Sequence, residues 1–301
     1  MKPLRILVAD TWGTEVHPST ARQFPNIQWT VHTRTNSPHP HGHQVAECCA
    51  KMLPPDHRAE ICFYPYLTLQ SRNPMGWAEV IRDARMEGNP FDLAICSFGF
   101  HHGNNRRTIE QQEALWADGK LLNQYRELLG DTPVVFASGN HDSTTPWAPD
   151  LSNDVCYPQK PLSTLDNVFV VGACNIRGVP MDWSADGLEV TCAYLGHQVR
   201  VLDPITGRYT RVDGTSFAAP LCAGDMGCLI TEGHQITREY FESYVLAHGL
   251  IPVGWERGRR HPKDGLGTML SAMEKRLGIS LHTLSAPARD PQEYFDFTPY
   301  L

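Results

Sequence analysis

The chain has 301 residues and begins at a methionine, room for one large α/β domain or two small ones. With 41% hydrophobic and 20% charged residues it can bury a sizeable core, which argues against global disorder. Its net charge of -7 argues against a broad hold on nucleic acid or anionic membrane, and no apolar run approaches the roughly 20 residues that span a bilayer. In chain order, residues 4–9 read as a buried strand and residues 45–53 as a short helix stopped by Pro54-Pro55. A strand over 61–64, a helix over 77–86 and a strand over 91–96 follow. Residues 109–129 read as one long helix ended by Gly130, before strands over 133–137 and 168–171. This alternation predicts an α/β fold with a mostly parallel central sheet and helices on both faces. Further on, strands over 188–202 and 209–212 are joined by a turn-rich hairpin loop over 203–207. Helices are expected over 216–230, 238–247 and 266–277. Without repeats or a clear linker, residues 1–284 read as one domain, and the Pro-rich, aromatic stretch 285–301 as an extended C-terminal tail.

The nine cysteines are an odd number without a C-x-x-C pair, so neither a disulfide framework nor zinc-finger spacing is indicated. The first nine residues are too short for a signal peptide. A cytoplasmic location is expected from the two together.

Polar segments stand where ligands of open parallel sheets bind, beyond the carboxyl ends of strands. Asp10 follows the first strand, His41 opens a helix, Asn140 follows the strand ending at Ala137, and Ser216 lies between a strand and a helix. Each type fits one part of acyl transfer. A serine hydroxyl needs a base to become a nucleophile, and a neutral histidine is the usual base. An aspartate on the other ring nitrogen fixes the tautomer. The Asn140 amide and the Ser216 backbone N–H can serve as donors to an oxyanion.

The order Asp, His, Ser and the surrounding residues resemble the subtilisin-like serine peptidases, or subtilases. Gly214-Thr215-Ser216-Phe217-Ala218-Ala219-Pro220 is similar to their G-T-S-M-A-x-P motif, His41-Gly42-His43-Gln44-Val45-Ala46 to H-G-T-H-V-A, and Ala137-Ser138-Gly139-Asn140 to A-A-G-N. Ser97-Phe98-Gly99-Phe100 resembles the strand along which their substrates lie, and Cys156-Tyr157-Pro158 the segment behind their primary specificity pocket. Gly265-Leu266-Gly267 resembles the start of their terminal helix. The resemblance implies a subtilisin-like three-layer fold and a serine endopeptidase. Its catalytic residues would be Asp10, His41 and Ser216, with Asn140 and the Ser216 amide as the oxyanion hole. Ser97, Phe98, Gly99, Phe100, Ala137, Ser138, Gly139, Cys156 and Tyr157 would bind substrate. The small residues of that slot suggest tolerance for medium or large apolar side chains.

Several positions depart from the pattern. Trp12 interrupts the D-[ST]-G motif, His43-Gln44 replaces T-H, Phe100 replaces a glycine, and His141 stands where an acidic residue is common. The short stretch 51–60 lacks the loop that makes a calcium site in many relatives. No cofactor is therefore expected to be required, and structural calcium is possible but not indicated. Only nine residues precede Asp10, so an N-terminal prosegment is not expected in this chain: either the protein folds unaided and is controlled otherwise, or a separate regulatory or inhibitory partner does that work. The expected partner is a protein or peptide substrate, with no nucleic acid and no membrane. Two other readings compete: a binding protein whose triad is gated or idle, and a transpeptidase or macrocyclase that resolves the acyl-enzyme with an amine. Bland roles remain for single residues, such as helix capping for Ser216 or a metal cluster for His39, His41 and His43.

Overall fold

The structure is a computed structural model that describes residues 2–11, 15–32, 39–65, 75–99, 109–140, 157–176, 178–185, 187 and 189–247. The chain forms β1 (Leu4–Asp10), α1 (Pro18–Gln23), β2 (Ile27–Val31), α2 (His41–Met52), β3 (Ala59–Pro65) and α3 (Gly76–Met86). These are followed by β4 (Leu93–Cys96), α4 (Ile109–Trp116), α5 (Lys120–Leu129), β5 (Val134–Ala137), α6 (Gln159–Leu162) and β6 (Val168–Cys174). The last elements are β7 (Val190–Leu195), β8 (Val199–Asp203), β9 (Arg208–Val212), α7 (Thr215–Thr231) and α8 (Arg238–Ala247).

The apolar runs become layers through the period of two. From β1, Leu4, Ile6 and Val8 enter one core, while Leu7 and Ala9 enter the other. Leu93 and Ile95 of β4 take the first side, and Ala94 and Cys96 the second. Strands covered on both faces must be apolar at nearly every position, which is why they read as continuous runs. The first core is closed by α2, α7 and α8, the second by α3 and α5. Seven strands pair in the order β2-β3-β1-β4-β5-β6-β7, and every pairing in this sheet is parallel. The chain fills one side of β1, then crosses to β4 on the other. A crevice opens at such a reversal, beyond the carboxyl ends of the strands.

One close approach sets α2 against α7, the helices that begin at His41 and Thr215, and a buried ion pair ties α2 to β8. A Cβ on Gly224 would stand 2.5 Å from Met52 Cβ and 2.7 Å from the Cys49 carbonyl, so glycine permits this approach. The buried Glu47 of α2 accepts the Leu202 N–H at 2.8 Å and pairs with Lys51 at 2.8 Å. Lys51 in turn donates to the Arg200 carbonyl, so the buried charge is compensated and α2 is tied to β8. Among the described residues, no helix is long and apolar enough to cross a membrane.

The expected long helix over 109–129 is two helices. Gly119 sits at φ 69° between them, and Asp118 accepts the Lys120 N–H at 3.0 Å, capping α5 locally. The expected strand over 188–202 is also broken, at Gly196-His197-Gln198. A Cβ on Gly196 would lie 2.5 Å from that of Ala173, and Gln198 has φ 57°. β7 therefore stays in the main sheet, while β8 leaves it to pair antiparallel with β9, as the hairpin loop predicts. α1 and β2 are not among the expected elements: β2 is an edge strand whose Ile27, Trp29 and Val31 alternate with Gln28 and Thr30 over five residues, and α1 is a polar helix of six. The expected helix over 266–277 and the tail over 285–301 lie outside the described residues.

Candidate active site

The strand ends converge on the N-termini of α2 and α7. Asp10 is the last residue of β1, not the residue after it, and is 1% exposed. Its Oδ1 is 2.8 Å from His41 Nδ1, and it also accepts the Thr11 N–H at 2.6 Å and the Thr11 hydroxyl at 3.0 Å. A carboxylate only accepts, so this contact puts the ring proton on Nδ1 and leaves Nε2 as the basic nitrogen. Burial pushes the His41 imidazolium toward losing its proton. The Asp10 charge and hydrogen bond outweigh this and leave its pKa raised above the ordinary 6.5. The His41 side chain keeps 21% exposure, so it is open to a substrate.

On α7, the ring of Phe217 lies 5.5 Å from that of His41, which brings the helix start beside the imidazole. Ser216 and Ser97 clasp each other. The Ser216 hydroxyl donates to the Ser97 carbonyl at 3.2 Å, and the Ser97 hydroxyl donates to the Ser216 carbonyl at 2.9 Å. In this arrangement the partner of the Ser216 hydroxyl is a carbonyl and not the His41 ring.

Asn140 is oriented by Thr215. Its Oδ1 accepts both the Thr215 N–H and the Thr215 hydroxyl at 2.9 Å, and the same hydroxyl accepts the Gly139 N–H at 3.2 Å. Thr215 thus fixes which end of the amide is oxygen. The donor end, Nδ2, faces Gly214, where an added Cβ would lie 3.4 Å from it.

The expected substrate-binding residues bracket this point. Ser97 and Phe98 are buried and Gly99 is exposed beyond β4; Ala137 and Ser138 are buried and Gly139 is half-buried beyond β5. Ser138 turns its hydroxyl to the Ala185 carbonyl at 3.0 Å. Tyr157 is buried and precedes a cis peptide bond to Pro158. Phe100, Cys156, Trp12, His101, His102, His141, the stretch 257–261 and the Gly265-Leu266-Gly267 segment lie outside the described residues.

His39 and His41 have ring centroids 6.0 Å apart, but His43 is buried and its Nε2 accepts the His17 N–H at 3.3 Å. Burial, then the nearby His17, push the His43 pKa down to about 4 despite Asp203. Among the described residues, no group of three or more His, Cys, Asp or Glu side chains could hold a metal ion. The eight described cysteines are free and buried, and burial raises the thiol pKa of Cys49 and Cys222. Three residues around the site escaped the sequence reading of roles: Thr11, Thr215 and Gln159. Thr11 and Thr215 lie inside the motifs, but their bonding depends on where distant strand ends meet. Gln159 carries no local signal.

The sequence profile of the subtilase family matches residues 14–248. No curated protein sequence matches the chain. Among solved structures, a lanthipeptide protease superposes with a TM-score of 0.59 at 17% identity, covering 81% of this chain and 80% of that one. The prenylagaramide maturation protease PagA gives 0.54 at 18% identity, covering 92% and 94%. A cold-adapted subtilisin-like serine proteinase gives 0.54 at 15% identity, covering 81% of each. At these identities the likeness is one of fold.

Proposed function

The chain belongs to the subtilase family of serine proteases, and from that premise we propose that it is an endopeptidase acting through Asp10, His41 and Ser216. The Ser216 hydroxyl turns from the Ser97 carbonyl to His41 Nε2 and attacks a peptide carbonyl. An Oγ–C bond forms as the proton passes to His41. His41 then protonates the leaving amine as the C–N bond breaks, and water releases the acyl group by the same steps in reverse. Asp10 holds His41 in the required tautomer. Asn140 Nδ2 and the Ser216 N–H receive the oxyanion, one such side-chain donor contributing about 3–4 kcal/mol. This chemistry calls on no cofactor.

The observation that carries the reading is the 2.8 Å contact from buried Asp10 to His41 at the start of α2, beside the start of α7. The clasp between Ser216 and Ser97 favours a second reading, a subtilase-fold binding protein whose nucleophile is gated. A fluorophosphonate probe decides between them. The endopeptidase is expected to be modified at Ser216 and to cleave peptides, and Ser216→Ala to lose both. A folded wild type that binds peptide but resists the probe would establish the gated reading. The lanthipeptide protease and the prenylagaramide maturation protease among the structural neighbours make peptides undergoing maturation reasonable first substrates to assay.

A further inference from the structure

We infer that the β8–β9 hairpin, which leads into Ser216, is a docking face for an extended acidic segment of the peptide substrate, away from the bond that is cut. The inference rests on the endopeptidase reading above.

The two faces of the hairpin differ. Val199, Val201 and Val212 pack into a small core with Cys48 and Phe217. Residues directly opposite in an antiparallel pair, and residues two apart in one strand, share a face. Arg200 stands opposite Arg211 and Leu202 opposite Tyr209, so these four make the other face. Leu202 is buried, but Tyr209 is 40% exposed and Arg211 is exposed. The edges differ too. The outer side of β8 is closed by α2, through the bonds of Glu47 and Lys51 to Leu202 and Arg200. Among the described residues, β9 pairs with no strand but β8, and four of its five residues are exposed.

The row from Arg200 through Tyr209 to Arg211 is held in place and positively charged. The Arg200 guanidinium lies 4.2 Å from the centre of the Tyr209 ring, and the Tyr209 hydroxyl donates to Gln23 Oε1 of α1 at 3.0 Å. Like charges directly opposite each other are unfavourable. In a chain of net charge -7, β8 and β9 nevertheless carry three arginines against one aspartate. That aspartate, Asp203, turns its oxygens to its own turn, accepting the Ile205 N–H at 2.9 Å and the Thr206 hydroxyl at 2.7 Å. Charged side chains on an edge strand can simply keep other strands away. Arg200 is not on that edge, so this purpose does not explain its place opposite Arg211. A peptide strand added to β9 would bring alternate side chains to this face, and carboxylates two residues apart would meet the two guanidiniums, which bind them bidentately.

The face is close to the chemistry. Val212 ends β9 four residues before Ser216, a chain length of at most about 15 Å. Gly214 between them is fixed by its N–H to the Gly196 carbonyl at 2.8 Å. A peptide docked on β9 therefore presents its own continuation to Ser216 at raised local concentration, without touching the reacting atoms. Binding of that kind lowers KM and leaves kcat unchanged.

The test has two arms. In the first, fluorescence anisotropy measures binding of a labelled Glu-Val-Glu-Val-Glu-Val peptide and its Gln-Val-Gln-Val-Gln-Val counterpart to the full chain carrying Ser216→Ala. The acidic peptide should bind at least tenfold tighter, and Arg211→Gln should erase the difference. Arg211 is exposed, so this variant is read first; Arg200→Gln, which also removes the contact with Tyr209, is read second. In the second arm, one cleavable quenched peptide is joined at either end to each segment through a Gly-Ser linker of about six residues, roughly 20 Å when extended. At one end the acidic segment should lower KM at least fivefold at constant kcat, and Arg211→Gln should abolish the gain. Equal binding of the two peptides, or equal KM at both ends, would overturn the inference while fluorophosphonate labelling of Ser216 left the endopeptidase reading intact. Dimerisation that Arg211→Gln abolishes would assign the face to a second copy of the chain and also overturn it. A folded wild type that binds the acidic peptide but resists the probe would overturn the endopeptidase reading, and with it the claim that the docked segment belongs to a substrate.

Discussion

Thr215 is the residue whose perturbation tests the site most sharply. Thr215→Val keeps the buried volume and the backbone N–H to Asn140, and removes only the hydroxyl. That hydroxyl makes two bonds, accepting from Gly139 at 3.2 Å and donating to Asn140 Oδ1 at 2.9 Å. Each neutral bond contributes about 0.5–1.5 kcal/mol net, and a buried N–H left unpaired costs about 1–3 kcal/mol. The folded state should therefore lose about 1–3 kcal/mol in denaturant unfolding. The kinetic effect is separate. Asn140 keeps one of its two anchors on Thr215, the N–H at 2.9 Å. If half of the roughly 3–4 kcal/mol supplied by such a donor depends on the lost anchor, kcat falls about 10–30-fold. KM should scarcely move, because the ground-state carbonyl does not use the donor fully. The assay is steady-state cleavage of a fluorogenic peptide in a double-mutant cycle with Asn140→Ala. Once the amide is gone, Thr215→Val should cost kcat little more. An equal loss in both backgrounds would refute the claim that Thr215 acts by orienting Asn140.

The acid limb of kcat/KM should have its midpoint above 6.5, since His41 must be neutral to act and its pKa is raised. The sign for stability is opposite: the charged pair with Asp10 stabilises the fold fully below the unfolded value of 6.5, and that contribution is lost as pH rises through the raised value. A pH–rate profile with a midpoint at or below 6.5 would count against the pairing. In Asp10→Asn the raising influences vanish while burial remains, so the His41 titration read by NMR should drop below 6.5 and kcat should fall about 10⁴-fold. Gly224→Ala should destabilise the protein by about 1–3 kcal/mol despite the better helix propensity of alanine, because its Cβ meets Met52 and the Cys49 carbonyl. An unfolding midpoint equal to the wild type's would show that α2 and α7 can part without cost.

Local signals carried far in this chain because the chemistry sits in short motifs. Runs such as Leu4-Arg5-Ile6-Leu7-Val8-Ala9 were strong enough to announce strands buried on both faces, and their alternation with helices announced a parallel sheet. Breaks within long patterns were weaker. Gly119 and Gly196 interrupt runs whose apolar spacing continues across them, and only packing against Ala173 or a local cap at Asp118 decides that the element stops.

By itself the sequence determined the fold class and the residue types of the site, since residue order, strand period and the glycine-flanked Asp, His and Ser segments are properties of short stretches. The tertiary structure decided what depends on distance between segments far apart in the chain. Asp10 meets His41 across 31 positions, Thr215 locks the Asn140 amide across 75, and Gln159 bridges Phe98 and Ala137. A hydrogen bond is set by a few tenths of an ångström and one direction. That precision comes from sheet register and from the close packing of α2 on α7, neither of which any single stretch of residues encodes.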